Sequence, residues 1–591
     1  MSVDSQTTHS SPIENLITEH IDIWSSAIKR KSSSGRGSSK KIELYGIKKL
    51  RELILELAVR GKLVAQDPND EPASILLERI AREKAELVKQ GKIKKPKKLP
   101  EISEEEKPFE LLKGWEFVRL NDLGEWGAGS TPSRSKVEYY NGKIPWFKSG
   151  ELNSDYISDS EEHISELALK ESSVRYNNIG DVLVAMYGAT IGKTSILSVK
   201  ATTNQAVCAC TPFTGFINTY LLMLLKASKS RLVGMGAGGA QPNISREKII
   251  QTVIALPPTE EQHRIVAKVD ELMALCDQLE AQTESSLDAQ QTLVTVLLDT
   301  LVNSQNAEEL AENWTRISGH FDILFTTEQS IDQLKQTILQ LAVMGKLVEQ
   351  NPNDEPASVL LERIAAEKEE LVKQKKIKKQ KPLPPITEEE KPFELLEGWE
   401  WERIGTFGVV GTGATPSRSN PVYWEPAEIN WVSSGETSEL FLGKTKEQVS
   451  KIAIKETNVS IYPVGTLIVA MYGQGKTRGQ ITELLEPAGT NQACAAIRLL
   501  ANNVEHKNFV KLFFRKAYLE LREHAAGGAQ PNLNVGKIAN TVVPLPPLEE
   551  QHRIVTKVDE LMAICDQLKA RLSEAQTTQL NLADALVKEA L

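Results

Sequence analysis

The segment EEQHRIVAKVDELMALCDQLEAQ, residues 260–282, decides the fold because its apolar side chains recur with a heptad spacing. Successive apolar positions are four, three, four and three residues apart, which places them along one seam of an α-helix. The seam residues are Ile265, Val269, Leu272, Cys276 and Leu279. Pro257 and Pro258 stand just before the segment, where proline disfavours a helix. We therefore predict one long helix that starts near residue 260 and continues to about residue 303.

The same segment occurs again as EEQHRIVTKVDELMAICDQL, residues 549–568. Its seam residues repeat the spacing and are Ile554, Val558, Leu561, Cys565 and Leu568. Heptad runs of this length also occur in the cores of globular domains, and that alternative stays open for each run. Because one chain carries two equal apolar seams, however, the sequence also favours two long helices that pair with each other.

The duplication extends well beyond the two helices. Residues 334–404 align without a gap to residues 50–120, and the sequence PNDEPAS occurs in both copies. The repeat period is far too long for a solenoid. Two variable segments of about 150 residues lie between the repeated parts, and each is long enough to bury its own core. The predicted boundaries are a flexible N-terminal tail at 1–42, a helical region at 43–107, a first variable domain at 108–258, a central helical region at 259–391, a second variable domain at 392–547 and a C-terminal helix at 548–591.

Length and composition limit the class of protein. The chain has 591 residues, so several domains are expected, because single cores stop growing at roughly 250–300 residues. Five cysteines, an odd number, favour a reducing compartment over a disulfide framework. The chain has no signal-like start and no apolar stretch long enough to span a bilayer, so we expect a cytoplasmic protein without membrane contact. The net charge of −9 does not favour a chain that supplies an extended DNA-binding surface alone.

Short motifs are shared by the two variable segments, whereas the sequence between them differs. Apolar runs that lead into glycine loops predict strands, and together with the long helices they predict an α+β fold. The shared motifs are GAGSTPSRS and GTGATPSRS at 127–135 and 411–419, IPWFKSGEL and INWVSSGET at 144–152 and 429–437, VLVAMYG and LIVAMYG at 182–188 and 467–473, TNQA at 203–206 and 490–493, and GGAQPN at 238–243 and 527–532. Two domains that share their motifs but differ in the sequence between them could perform the same function on different targets.

Several kinds of catalytic chemistry are not supported by the motifs. The segment 188–194, GATIGKT, has three residues between its glycines where a phosphate-binding loop has four. His263 and His552 have no serine or cysteine at motif spacing and are expected on a helix surface. Signatures of an amino-methyltransferase and of a nuclease are also missing. We therefore expect a non-catalytic chain that holds no cofactor or metal.

Taken together, these features resemble the DNA-specificity subunit of a type I restriction–modification enzyme. The resemblance covers about residues 45–591 and rests on the duplicated plan, the GWE segments, the shared motifs and the EEQHRIV helices. It implies that each variable segment is a target-recognition domain for one half of a bipartite site in double-stranded DNA, and that the long helices form an antiparallel spacer. It further implies two modification (methyltransferase) subunits and restriction/translocase subunits as partners, with S-adenosylmethionine, ATP and Mg²⁺ bound by those partners.

The shared motifs also supply the candidate DNA-binding residues. Arginine suits phosphate or guanine, and the amides of glutamine and asparagine suit an adenine edge. The candidates are Ser133, Arg134, Lys148, Tyr187, Lys193, Gln241 and Asn243 in the first segment, and Ser417, Arg418, Tyr472, Lys476, Arg478, Gln530 and Asn532 in the second. Because many of them occur in both segments, phosphate contact or loop bracing stays open beside base recognition. Base-specific residues are expected where the segments differ, as at 153–180 and 438–465.

Two other classes of function stay open at this point. A two-headed coiled-coil scaffold could bind proteins without binding DNA. An enzyme could use the AMYG glycine loops as nucleotide sites. Binding to random duplex DNA would distinguish a specificity subunit from the scaffold. Binding of labelled nucleotide would test the enzyme.

Overall fold

The computed structural model describes residues 12–30, 42–95, 99–236, 242–473, 477–526 and 533–591. It divides into two compact units, of which unit 1 contains residues 1–286 and 575–591 and unit 2 contains residues 287–574. The division falls within two long helices. The predicted α+β fold is confirmed, since each unit combines mixed sheets with helices.

Unit 1 begins with helices that lead into a variable domain built on three sheets. The first elements are α1 Pro12–Glu19, α2 Ile21–Ser26, β1 Lys29–Arg30, β2 Ile42–Glu43, α3 Tyr45–Val59 and α4 Ala73–Lys89. The strands that follow are β3 Glu116–Arg119, β4 Gly124–Ala128, β5 Ile144–Phe147, β6 Tyr156–Ile157, β7 His163–Ile164, β8 Val182–Ala185, β9 Thr194–Leu197, β10 Thr202–Thr203, β11 Val207–Pro212 and β12 Val253–Leu256. The helices among and after them are α5 Glu166–Glu171, α6 Asn218–Ala227, α7 Lys229–Gly236, α8 Arg246–Ile250 and α9 Thr259–Val302.

Unit 2 repeats this plan. Its helices are α10 Ala307–Ser318, α11 Phe321–Leu324, α12 Glu328–Val343, α13 Ala357–Lys373, α14 Ile404–Phe407, α15 Lys451–Glu456, α16 Val504–Ala526, α17 Val535–Asn540 and α18 Leu548–Ala590. Its strands are β13 Glu400–Arg403, β14 Gly408–Thr412, β15 Ile429–Val432, β16 Phe441–Leu442, β17 Glu447–Val449, β18 Leu467–Ala470, β19 Ile481–Leu484, β20 Ala488–Thr490, β21 Cys494–Leu499 and β22 Val542–Leu545.

The two units have the same sheet topology. The five-stranded sheet has the order β4-β11-β8-β9-β6 in unit 1 and β14-β21-β18-β19-β16 in unit 2. In both sheets the first four strands are antiparallel to their neighbours, and the last strand is parallel to the fourth. Each variable domain also has a three-stranded sheet and a two-stranded sheet, β12-β3 or β13-β22, and unit 1 has the additional two-stranded sheet β1-β2. Matching strand order over sequence that largely differs confirms the predicted tandem repeat.

The heptad seam of α9 is buried in unit 1, and ion pairs beside it join α9 to helix α3. All five predicted seam residues of α9 are buried. Arg51 of α3 forms ion pairs with Asp277 at 2.6 Å and Glu280 at 2.7 Å, beside the buried Cys276. The seam is thus buried within its unit, as the core-packing alternative predicts, and the pairing of the two seams with each other stays a prediction.

Helix α18 has the same arrangement in unit 2. Ile554, Val558 and Cys565 are buried in one core with apolar residues of α12, while Leu561 and Leu568 are partly buried at its margin. Asp332 of α12 pairs with Lys569 of α18 at 2.8 Å. The same core also contains Val294, Leu298 and Leu301 from the C-terminal part of α9.

The N-terminal residues differ from the predicted flexible tail of residues 1–42. Residues 12–26 form α1 and α2, and the indole of Trp24 is fully buried. Gly46, at the start of α3, donates its backbone N–H to Ala27 O at 2.9 Å. The buried indole holds this segment against the rest of unit 1. The prediction of a flexible tail was based on the polar Ser, Gly and Lys run that follows, and it overlooked Trp24. The run itself, residues 31–41, lies outside the described residues.

The close approach at Gly46 gives a test of this anchor. A Cβ added at Gly46 would lie 2.4 Å from the carbonyl oxygen of Trp24. We expect Gly46→Ala to lower the free energy of unfolding by about 1–3 kcal/mol, since overpacking against backbone outweighs the better helix propensity of alanine. Urea unfolding measures the change. Gly150→Ala is the matched control, because nothing lies within 4 Å of its added Cβ, and an equal loss in both variants would contradict the prediction.

Candidate functional site

One edge of the five-stranded sheet gathers most of the shared motifs of unit 1. Antiparallel pairing aligns Ala128 with Cys208, Val207 with Ala185, and Val184 with Thr194. The carboxyl ends of β4 and β8 and the amino ends of β11 and β9 therefore lie side by side. The loops at this edge, residues 128–135, 186–193 and 203–207, form the motif edge of unit 1. Residues 412–419, 471–480 and 490–494 form the motif edge of unit 2 in the same way.

Hydrogen bonds join the TPSRS loop to the TNQA loop at each motif edge. In unit 1 the N–H of Ser130 donates to Thr203 O at 3.0 Å, and the hydroxyl of Thr131 bonds to Gln205. The matching hydroxyl of Thr415 donates to Gln492 Oε1 at 2.6 Å in unit 2. The threonine and glutamine of the two motifs therefore join the two loops.

A glycine at each motif edge allows the backbones to approach this closely. A Cβ added to Gly129 would lie 2.2 Å from the carbonyl oxygen of Thr203, and one added to Gly413 would lie 1.7 Å from that of Thr490. No other residue fits without displacing the backbone. This explains why a glycine precedes the TPS sequence in both copies.

The AMYG loop is the next member of the motif edge. Met186 N donates to Ala206 O at 2.8 Å, which places AMYG beside TNQA. Tyr187 forms an antiparallel bridge with Asn243, and Gly188 N donates to Pro242 O at 2.8 Å. Two predicted candidates, Tyr187 and Asn243, are thus brought together, and both are exposed.

The SGE sequence contains a glutamate that sequence reasoning missed, and it reaches the motif edge through Gly150, whose carbonyl accepts a hydrogen bond from Lys193 at 3.4 Å. Glu151 accepts hydrogen bonds from Lys148 N at 2.9 Å and Ser160 Oγ at 2.8 Å. Its counterpart Glu436 accepts from Ser433 N at 2.9 Å and Lys446 N at 2.8 Å. The recurrence of SGE in both segments was the signal that could have identified these residues.

Arg134 and Arg418 occupy matching environments. Arg134 donates to Glu162 at 2.7 Å, and its guanidinium carbon lies 4.3 Å from the ring centre of Tyr140 and 5.1 Å from that of Trp146. The hydrogen bond from Arg134 lowers the pKa of the Glu162 carboxyl. Ser133, beside Arg134, shares a hydrogen bond of 2.8 Å with the hydroxyl of Ser135.

In unit 2, Arg418 donates to Glu447 at 2.8 Å. Its guanidinium carbon lies 4.0 Å from the ring centre of Trp424 and 5.4 Å from that of Trp431. The bond from Arg418 likewise lowers the pKa of the Glu447 carboxyl. The hydroxyl of Ser417 shares a hydrogen bond of 2.8 Å with Ser419. Both arginines are therefore already paired.

The remaining candidates divide into paired, partly buried and undescribed residues. Lys148 lies 3.1 Å from both Glu161 and Glu162, and Lys193 donates to Asn153 Oδ1 at 2.5 Å. In unit 2, Tyr472 packs against the core and Arg478 is partly exposed. Four candidates lie outside the described residues, namely Gln241, Lys476, Gln530 and Asn532.

The EEQHRIV motif connects each variable domain to its long helix. The indole N–H of Trp115 donates to the buried Glu261 at 3.0 Å, and Arg264 pairs with Asp70 at 2.5 Å. Burial raises the pKa of the Glu261 carboxyl. His263 is exposed on the surface of α9. The acidic and basic residues of this motif thus act as structural connectors.

Unit 2 has the same joint. Trp399 donates to Glu550 at 3.1 Å, and Arg553 pairs with Asp354 at 2.7 Å. Burial raises the pKa of Glu550 as well, and His552 is exposed.

The buried pair of Trp115 and Glu261 predicts a pH-dependent stability. The folded pKa of Glu261 is raised, so its favourable contribution is complete below the unfolded pKa and is lost as pH rises through the folded pKa. Trp115→Phe removes a donor that favours the charged carboxylate. We therefore expect a loss of about 1–3 kcal/mol that is larger at pH 8 than at pH 5.

Urea midpoints at the two pH values measure this difference. Trp126→Phe is the matched control, because Trp126 is buried and donates to the carbonyl of Leu120, a group that does not titrate. The prediction fails if both variants show the same dependence on pH.

The described residues show no sign of a metal site or a membrane span. Within the described ranges no group of three or more His, Cys, Asp or Glu side chains could hold a metal ion. In the same part of the chain no helix is long and apolar enough to cross a membrane.

The chain is thus a two-domain protein in which each α+β unit gathers matching motifs at one sheet edge. The family model of the type I restriction modification DNA specificity domain matches residues 112–289 and 396–576. The EcoAI and EcoEI type I restriction enzyme specificity subunits of Escherichia coli are each 42% identical over 600 residues, which cover 98% of this chain and 100% of each relative. The HsdS subunit from Thermoanaerobacter tengcongensis, a crystal structure, is 18% identical and covers 82% of this chain and 98% of its own, with a TM-score of 0.41.

The chain belongs to the family of type I restriction–modification DNA-specificity subunits. The predicted resemblance and the expectation of a non-catalytic specificity subunit are confirmed by these matches. The alternative of a scaffold that binds no DNA is not favoured by them.

Proposed function

We propose that the two motif edges are the DNA-binding faces, and that each recognises one half of a bipartite site. One observation carries this proposal: both units build the same edge from the same loops, while some of the side chains on that frame differ, as at Lys193 and Gln480. Recognition of two different half-sites requires a constant way to meet the DNA backbone and variable groups to meet the bases. The common loops supply the first requirement, and the differing side chains supply the second.

A matched pair of side chains illustrates the difference between the two edges. The backbone at Lys193 and at Gln480 is equivalent, since Ala185 N donates to Lys193 O at 2.8 Å and Ala470 N donates to Gln480 O at 2.9 Å. The side chain is a cation in one unit and a neutral amide in the other. Lysine commonly donates to guanine, whereas glutamine pairs with the donor and acceptor of adenine. This position therefore suits a base-selecting role.

The proposal extends to the assembly in which the chain acts. The relatives are named as subunits of type I restriction enzymes, which supports partners that carry the chemistry. We propose two modification subunits and the restriction/translocase subunits as partners in the cytoplasm. S-adenosylmethionine, ATP and Mg²⁺ would be bound by those partners and not by this chain.

Exchange of one variable domain tests the assignment of half-sites. Replacing residues 108–258 with the corresponding domain of another specificity subunit should change one half of the methylated motif and leave the other unaltered, because each unit has its own sheets. Genome-wide mapping of adenine methylation in cells that contain the partner subunits measures both halves. A change in both halves would contradict the proposal.

Substitution at the matched position tests base selection more finely. We expect Lys193→Gln to shift one base of the first half-site from guanine toward adenine, with a discrimination change of about 1–3 kcal/mol. The same methylation map reports this shift. Gln480→Lys is the reciprocal variant and should change only the second half-site. An unaltered motif in both variants would remove this position from base recognition.

A further inference from the structure

The two arginine loops contain the same four-part arrangement, which we call the arginine brace. In each unit it consists of an arginine, two aromatic rings and a glutamate. The residues are Arg134, Tyr140, Trp146 and Glu162 in unit 1, and Arg418, Trp424, Trp431 and Glu447 in unit 2. These rings differ in chemistry, since Tyr140 corresponds to Trp424, yet the arginine is held in the same way.

The rings that contact the arginine also bind the backbone of its loop. In unit 1 the indole N–H of Trp146 donates to Ser130 O at 3.0 Å, and the hydroxyl of Tyr140 donates to Pro132 O at 2.6 Å. The loop is thereby fixed just before Arg134. The arginine side chain then lies over both rings and completes the attachment.

Unit 2 makes the equivalent bonds with different donors. The indole N–H of Trp431 donates to Ala414 O at 3.1 Å, and that of Trp424 donates to Ser417 O at 3.1 Å. An indole thus replaces the phenol of Tyr140 and still reaches a carbonyl of the same loop. Both copies therefore hold the backbone of the same loop, although one of the two ring donors differs between them.

We propose that Arg134 and Arg418 are positioning residues that fix the TPSRS loop of each motif edge, and that they do not neutralise DNA phosphates. This inference rests on the proposed function for its DNA readout. Each guanidinium stacks on rings and bonds to a carboxylate, so the pair of Arg418 and Glu447 carries no net charge. In unit 1 Glu162 also pairs with Lys148 at 3.1 Å, and Glu161 lies at 3.1 Å from the same lysine, so the four charges cancel. A neutral pair releases few counterions when DNA binds. The exposed hydroxyls and backbone groups of the fixed loop are left to meet the DNA.

A phosphate-contacting arginine would behave differently under two substitutions. Lysine keeps the positive charge but lacks the planar group that stacks on rings and bonds to both carboxylate oxygens. Lysine would therefore substitute for an arginine that contacts phosphate, but it would not substitute for an arginine that holds the loop. Removing the charge of the glutamate would free a phosphate-contacting arginine and tighten DNA binding, whereas it would loosen a brace and weaken binding.

The experiment uses the full chain assembled with its methyltransferase subunits and a duplex that carries its methylated motif. We expect Arg134→Lys to weaken binding about tenfold, which corresponds to about 1.4 kcal/mol, with the slope of log affinity against log salt unchanged. Glu447→Gln should also weaken binding, and Glu447 serves this test because, among the described residues, it pairs with Arg418 and not with a lysine. The proposal is overturned if Arg134→Lys binds like the unsubstituted chain, if Glu447→Gln binds more tightly, or if Arg134→Gln lowers the salt slope by about 0.9, the value of one lost phosphate contact.

The second unit supplies an internal control for general loss of folding. Arg134→Lys should reduce recognition of the first half-site alone, and Arg418→Lys that of the second half-site alone, as measured with duplexes altered in one half. Loss at both half-sites from one substitution would indicate global damage and would overturn the assignment.

Hydrogen exchange separates failure of the brace from failure of the proposed function. In the chain without DNA, Arg134→Lys should speed amide exchange in residues 129–135 and leave residues 413–419 unchanged. If the unsubstituted chain binds no DNA but this exchange pattern appears, the brace stands and the proposed function falls. If DNA is bound and exchange is unaltered by Arg134→Lys, the brace falls alone.

Discussion

The rest of each unit depends on one buried hydrogen bond, between the tryptophan of the GWE sequence and the first buried glutamate of the long helix. Trp115 and Glu261 form it in unit 1, and Trp399 and Glu550 form it in unit 2. A carboxylate costs free energy when it leaves water, so it is retained only where a donor compensates for that cost. The bond ties the start of the first strand of the variable domain to the first turn of the long helix, beside the ion pair of the neighbouring arginine.

The sheet pairing then determines which loops can act together. Antiparallel neighbours bring the TPSRS, AMYG and TNQA loops to one edge, although the first and last lie about 70 residues apart in the sequence. Glycine at 129 and at 413 permits contact between backbones, and the hydroxyl-to-amide bonds close it. Shared motifs that appear scattered in the sequence are therefore parts of one surface in the fold.

The long helices, the α+β class and the tandem plan could be predicted from the sequence. Heptad spacing, apolar runs before glycine loops and repeated motifs are all visible in short stretches of it. The ion pairs beside the heptad seams were harder to predict, since α3 and α12 become neighbours of the long helices only through tertiary packing. The order of residues 12–26 was missed because one tryptophan outweighs a polar composition. Arg134 was identified as a candidate from its loop, but Glu162 and Trp146, which determine its environment, lie in other motifs or in none.

The substitution of a phenol by an indole within the brace has a consequence for how such proteins diversify. Tyr140 and Trp424 hold equivalent loops through different atoms, so the support of the loop tolerates mutation. A support that tolerates mutation lets neighbouring surface positions drift without loss of folding. New target preferences can then arise by small substitutions in one lineage, while the inherited scaffold remains compatible with the enzymes that act alongside it.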